Sequence, residues 1–159
     1  MTIPIPTPPV RSVIRKKVAQ LLQGSLVGPG LPVEAVYDYQ IADFDKQSPV
    51  IVVTSSGTED LNEVQQVVYI DVHVFVTYSA STAAGEVVWT EEQSEDAIDL
   101  ISAWVASIIG YYKDRRREDE PEWEQVEADG RTNVEPVLIS GINNRHEILA
   151  YGFLVGNKA

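Results

Sequence analysis

The sequence has 159 residues and no cysteine, 44% of its residues are hydrophobic and 23% are charged, and its formal net charge is −12. This composition is typical of a single globular domain; it argues against wholesale disorder and excludes disulfides, thiolate catalysis and cysteine metal sites. No apolar run approaches the roughly 20 residues that a membrane helix needs, and a broad acidic surface disfavours sequence-reading nucleic-acid binding because it repels phosphate.

The N-terminal region is predicted to be an extended arm followed by a helix. Residues 1–8 (MTIPIPTP) form the arm, because each proline removes a backbone donor and biases its predecessor towards extended conformations. After Pro9, apolar residues recur at spacings of three and four, which predicts a helix of about four turns. Gly24 is expected to be its C-terminal cap.

Three strands are predicted next. Residues 33–39 and 48–55 are rich in β-branched and aromatic residues, and the second run is apolar on both faces and so is expected to be central, ending at the sequence SGTED. Residues 64–78 show the clearest alternation of aliphatic and mixed side chains. Because strands of this length are unusual, this one is expected to carry a bulge or to project beyond the core.

A long helix follows a loop of small residues at 79–88. Thr90 and Gln93 have the spacing of a capping box, and acidic residues fill the first turn. The predicted buried stripe consists of Ala97, Leu100, Ile101, Trp104, Val105, Ile108, Ile109 and Tyr112. Trp104 is accordingly interpreted as a packing residue.

The C-terminal third is predicted to be mostly β-structure. A mixed charge run at 113–120 precedes strands at 123–128, 134–140 and 145–155, the last two joined by a hairpin at 141–144. Residues 156–159 are expected to fray. The element order predicts an α+β fold in a single domain, residues 9–155, with an antiparallel or mixed sheet and two main helices on its aliphatic face.

No residue pattern indicates catalysis, a cofactor or a metal. The two histidines, His73 and His146, lie on predicted strands at a spacing that matches no ligand pattern, and each is as easily a sheet-surface residue. No serine lies in the Gly-x-Ser-x-Gly turn of the α/β-hydrolases. The acidic pairs are too numerous for any one of them to be singled out.

Five residues are candidates for an interface. Trp89 and Trp123 lie at the edges of predicted elements, where partly exposed tryptophans often anchor partners, although packing at the rim of the core is an equal alternative. Arg115, Arg116 and Arg117 form a basic run. Acidic residues flank that run on both sides, which favours a solvated turn over a phosphate site.

The chain resembles the tail terminator proteins of tailed bacteriophages and, more loosely, their head–tail joining relatives. The resemblance covers about residues 9–155 and rests on element order and on five stretches. These are PVIVV from Pro49, YIDVHVFV from Tyr69, SEDAIDLISAWV from Ser94, VEPVLISG from Val134 and RHEILAYGF from Arg145. It implies a virion protein, assembled in the host cytoplasm, with no catalytic residues. Six copies would form a ring that caps the tail tube, stops its polymerisation and joins it to the head connector, with sheath contacts in contractile phages.

Several alternatives remain open at this stage. A neck connector or stopper protein is also a small acidic ring former. A monomeric binding module predicts a single-chain species at every concentration, and an enzyme predicts loss of turnover when His73 or His146 is replaced. The acidic charge itself suits a basic partner, a wall that DNA passes without adsorbing, or simply solubility.

Overall fold

A computed structural model describes residues 9–79, 89–112, 123–128, 130 and 132–156. Two helices and six strands lie in these ranges. In chain order they are α1 (Val10–Leu26), β1 (Ala35–Tyr37), β2 (Val50–Asp60), β3 (Gln65–Thr77), α2 (Glu91–Tyr111), β4 (Gln125–Ala128), β5 (Val134–Ile139) and β6 (Ile142–Gly156). The predicted α+β class is confirmed. The predicted arm at 1–8 and residues 157–159 of the predicted frayed end lie outside the described ranges, whereas residue 156 belongs to β6.

The six strands form one mixed sheet with the order β1-β2-β3-β6-β4, and β5 also pairs with β6. β1 is parallel to β2, and the remaining pairs are antiparallel. β3 and β6 form its centre and pair continuously from Gln65↔Gly156 to Thr77↔Asn144. The opposite edge of β3 pairs with β2, so β3 is hydrogen-bonded on both sides over most of its length.

This pairing corrects two expectations about the strands. β3 neither bulges nor projects, because β2 and β6 extend alongside it; the irregularity lies in β2, between Ser55 and Gly57. The SGTED sequence does not end β2, which continues through Gly57 to Asp60. The physical reason is that a bulge absorbs one extra residue locally while the ladder continues on both sides.

The main core lies between the sheet and both helices. The alternate β3 residues Val68, Ile70, Val72, Val74 and Val76 are all 0% exposed. Both helices pack in one cluster with them, which confirms the predicted aliphatic face. Burying a side chain of this size contributes about 1.5–3 kcal/mol, so this face is the main source of cohesion. Within the described residues, neither helix is long and apolar enough to cross a membrane.

α1 is one turn longer than the sequence suggested. Its buried side chains include Val18, Leu22 and Leu26, each four residues apart on one face. Because Leu26 is completely buried, the gain from packing it outweighs the cost of about 1 kcal/mol for Gly24 within a helix. Gly24 is therefore an interior residue, and the prediction that it caps the helix is wrong.

The β5–β6 hairpin turns at Ser140 and Gly141, which have positive φ angles of 50° and 78°. This is the backbone pattern of a two-residue type I′ turn, whose twist matches that of the strands. The predicted turn at 141–144 is thus displaced, because Ile142 already begins β6.

Candidate functional site

α2 carries a second apolar stripe that faces away from the core. The buried side is formed by Ile98, Ile101, Val105 and Ile109. The outer stripe, called here the α2 stripe, consists of Leu100, Trp104 and Tyr111, and Ile108, which packs partly against the core, lies at its border. Leu100 is 51% exposed, Trp104 41% and Tyr111 55%. The prediction that Leu100 and Trp104 are core residues is therefore wrong.

The reason for this error is geometric. The apolar residues between 97 and 112 cover an arc of the helix that is wider than the sheet can bury. Two neighbouring sets of these residues, each spaced by three or four positions, could therefore have formed the buried face. Sequence periodicity alone does not decide which register is buried. The width of the arc was a signal in itself, since a helix that packs on one side normally has a polar outer face.

A groove of about 650 Å³ lies beside the N-terminal half of the α2 stripe. Its lining includes Val27, Leu31, Pro32, Pro49, Trp89 and Leu100. One wall is the connection between α1 and β1. This connection is held against the end of α1 by a β-bridge between Val27 and Val33 and by a hydrogen bond from the Val33 N–H to the Leu26 carbonyl. Leu31 is 37% exposed, so the groove is open and apolar.

The predicted interface residues have different surroundings. Trp89 lines the groove and packs partly against the core, and its carbonyl accepts a hydrogen bond from the Ser79 N–H. Trp123 is only 4% exposed; its ring lies edge-on to Phe153 and its Nε1–H donates to the Tyr112 carbonyl at 3.1 Å. For Trp123 the structure therefore favours packing over contact with a partner. Arg115, Arg116 and Arg117 lie outside the described residues.

The β5–β6 hairpin presents another exposed apolar surface, called here the hairpin patch. It consists of Val134 and Leu138, which are 42% and 66% exposed and lie on one face of β5, whereas Ile142, 42% exposed, pairs with Ile139 and lies on the other face. The outer edge of β5 contains Glu135 and Pro136, residues that hinder pairing with a further strand. The patch is therefore suited to side-chain packing rather than to extension of the sheet.

Arg145 fixes the start of α2 to the hairpin. Its Nε–H donates to Ser94 Oγ at 2.7 Å, a guanidinium nitrogen lies 3.5 Å from a Glu95 carboxylate oxygen, and the guanidinium carbon lies 4.8 Å from the centre of the Tyr78 ring. The hairpin continues from Arg145 to its turn at Ser140–Gly141, beyond this end of the helix. Sequence reasoning missed Arg145, because the contact joins residues about 50 positions apart.

The α2 stripe and the hairpin patch are therefore separate surfaces. Measured from Glu95, which Arg145 contacts, Leu100 lies about 8 Å and Trp104 about 14 Å further along the helix. Leu138 pairs with Asn143, on the other side of Arg145.

The two histidines meet on the sheet face opposite the helices. His73 Nδ1 and His146 Nε2 are 2.9 Å apart, and His73 Nε2 is 3.0 Å from Thr54 Oγ1. The His146 ring stacks on Phe75 with 4.3 Å between centroids. The register of β3 on β6 places Phe75 opposite His146, a long-range pairing that local sequence patterns do not contain.

Burial lowers the pKa of both imidazoles. It lowers the pKa of His73, partly offset by the nearby Asp71, and it lowers the pKa of His146 to about 4, with His73 adding to the effect. A hydroxyl beside two imidazoles can relay a proton, but neither the groove nor the smaller cavity around Tyr69 and Gly152 includes these side chains. In the part of the chain that the structure describes, no group of three or more histidine or acidic side chains is arranged to hold a metal.

Comparison with known proteins leaves these surfaces to be interpreted from their own chemistry: no family model and no curated protein matches the sequence.

Proposed function

We propose that this chain is the tail terminator subunit of a tailed bacteriophage. In this role six copies form a ring that caps the tail tube, stops its polymerisation and joins the tail to the head connector. The ring is a virion component that assembles in the host cytoplasm, and in a contractile phage it also contacts the sheath. The proposal rests on the resemblance in element order and on one structural observation, the presence of two separate apolar surfaces on one chain.

Two different surfaces are what a ring requires. A closed ring repeats one heterologous contact, in which a patch on one subunit meets a different patch on the next. The α2 stripe contributes Trp104 and Tyr111, residue types enriched in the centres of interfaces, and the hairpin patch contributes Leu138. A monomeric module has no need of either surface, and contiguous exposed apolar patches, unlike single exposed apolar residues, mark interaction sites on soluble proteins.

The sheet edges contribute less than the side chains. β3 pairs with β2 and β6, and β6 pairs with β3 on one side and with β5 and β4 along most of the other, so the two central strands are not edge strands. The proposed contact therefore packs side chains of α2 against those of the hairpin. The net charge of −12 supports a lumen that DNA passes without adsorbing.

The test is mass measurement and negative-stain imaging of the chain, alone and with tail-tube protein. Rings with six-fold symmetry seated on tube ends are the expected result. Rings that bind only a portal or adaptor would transfer the assignment to a neck connector. A single-chain species in both conditions would refute the proposal, because the tube is the template on which closure should occur.

Complementary variants test the heterologous contact directly. Trp104→Glu and Leu138→Glu each remove one surface, and neither should form rings. When the two variants are mixed, the intact hairpin patch of one still meets the intact α2 stripe of the other, so pairs should form but no rings. If the mixture stays as single chains while each variant is folded, these two surfaces do not contact each other.

A further inference from the structure

The groove beside α2 is an unfilled apolar surface next to the proposed ring contact. Leu31 and Leu100 on its two walls are 37% and 51% exposed, and Trp89 lies between elements that do not cover it completely. Grooves lined by aromatic, proline and aliphatic side chains bind extended proline-rich segments, which are already ordered and so lose little entropy on binding. We propose that the groove binds residues 1–8 of a second copy of the chain.

The chemistry of residues 1–8 fits this groove. The segment MTIPIPTP contains no charged side chain, and Ile3 and Ile5 alternate with Pro4 and Pro6. Proline has no N–H group, so burying it leaves fewer backbone donors without a partner than burying another residue would. The groove in turn presents Pro32 and Pro49 beside Trp89. The match is between an uncharged, largely apolar segment and a groove whose lining is mostly apolar, with Glu34 and Ser48 as its polar members.

The distance from the start of α1 identifies the occupant as a second copy. The groove lies at the C-terminal end of α1, since Val27 and Leu31 line it, whereas the described chain starts at Pro9, at the other end. The 17 residues of α1 span about 25 Å. Eight residues in polyproline II conformation also span about 25 Å. The arm of the same copy would therefore need its whole length to reach the groove, and no residues would remain to lie along it. The same residues of a neighbour are free to lie along it.

A peptide experiment tests whether the groove binds this sequence. A labelled peptide of residues 1–9 is titrated against the chain lacking residues 1–8, and binding is followed by fluorescence anisotropy. We expect saturable binding that Leu100→Glu weakens at least about tenfold, the loss expected when one buried leucine contact is removed. Leu138→Glu is the matched control and should change the affinity less than about twofold, since Leu138 lies on the hairpin. Absence of binding at millimolar peptide, or equal binding to both variants, would overturn the inference.

Disulfide trapping distinguishes a second copy from the same copy. Because the sequence contains no cysteine, each introduced thiol is unique. Full-length chains with Ile5→Cys and with Leu31→Cys are mixed and oxidised, and we expect a cross-linked pair that does not form when Leu138→Cys replaces Leu31→Cys. If the mixture gives no pair and the double variant closes an internal bond, the groove binds its own arm and the inference is wrong. It is also wrong if neither bond forms.

The inference shares with the proposed function the requirement that copies of the chain meet, and it shares Leu100, which belongs to both the α2 stripe and the groove wall. If the peptide binds and the disulfide forms but no rings appear on tube ends, the groove inference holds and the tail terminator proposal fails. If the peptide does not bind and rings still form on tube ends without residues 1–8, the groove inference fails and the tail terminator proposal holds.

Discussion

Leu100 and Ile101 are neighbours on α2 with opposite burial, so replacing each with alanine separates the stability of the fold from association. Ile101 is 1% exposed within the core, and truncating such a residue to alanine costs about 2–5 kcal/mol in the free energy of unfolding. Leu100 is about half exposed and so has about half of a leucine's burial to lose. With alanine's higher helix propensity in its favour, Leu100→Ala should cost about 1 kcal/mol or less.

The assay has two parts. Urea unfolding followed by circular dichroism is measured at a concentration where the chain sediments as a monomer, so that association does not add to stability. In thermal unfolding at the same concentration, about 1 kcal/mol corresponds to 2–4 °C in Tm for a chain of this length, so Ile101→Ala should lower Tm by about 4–20 °C and Leu100→Ala by at most about 4 °C. At higher concentration, Leu100→Ala should weaken association.

The control is Ile101→Val, which keeps most of the buried volume and should cost only about 0.5–1.5 kcal/mol. Equal losses of stability for Leu100→Ala and Ile101→Ala would show that both sides of α2 are buried within the monomer. The α2 stripe would then not be a surface, and the ring contact built on it would fail.

Three further predictions follow from single sites. Burial lowers the pKa of His146 to about 4, so the unfolded chain binds a proton at this residue more readily than the folded chain does. The free energy of unfolding should therefore decrease as pH falls from about 6.5 towards 4. In His146→Gln the urea midpoint should depend less on pH over this window, and an NMR titration of the unaltered chain should find the low pKa of His146. Thr90 Oγ accepts from the Gln93 N–H at 3.2 Å, so Thr90→Ala should cost about 1 kcal/mol in urea unfolding, whereas Thr90→Ser should retain the cap. Gly24→Ala should stabilise α1 by about 0.5–1 kcal/mol, because the position is helical with open space around it, whereas Gly141→Ala should destabilise the chain by about 1–2 kcal/mol at its φ of 78°.

Each of these has an outcome that contradicts it. An unchanged pH profile in His146→Gln would place the acid sensitivity elsewhere. Equal stability of the alanine and serine variants at Thr90 would mean that the cap contributes nothing. The two glycine changes must have opposite signs, and a shared sign would show that the helix boundary or the turn has been misassigned.

The features that the sequence predicted well depend on short-range rules. The alternation in β3 identifies its buried face because successive strand residues point to opposite sides, and one residue of slippage would expose all of the aliphatic side chains. The start of α2 was predictable because Thr90 and Gln93 form a local motif in which both hydrogen bonds lie within one turn.

The features that the sequence did not predict depend on tertiary context. Leu26 extends α1 past Gly24 only because the core has room for it. The choice between the two apolar sides of α2 is made by the sheet, which covers one register. The pairing of His73 with His146 depends on the register of β3 on β6, 73 residues apart in sequence. The interface candidates were hardest to place, since exposure is a property of the folded chain.

The double-sided pairing of β3 and β6 has a consequence for how the chain behaves when many copies accumulate before they are used. A strand with a bare backbone is a template on which identical strands stack without limit, and such growth ends in filaments. In the described part of the chain, β3 is paired along both sides, and β5 carries Glu135 and Pro136, which hinder the addition of a further strand. Stacking of copies through these strands is therefore blocked, and the backbone open to a further strand lies on β2, where residues 53–60 extend past β1.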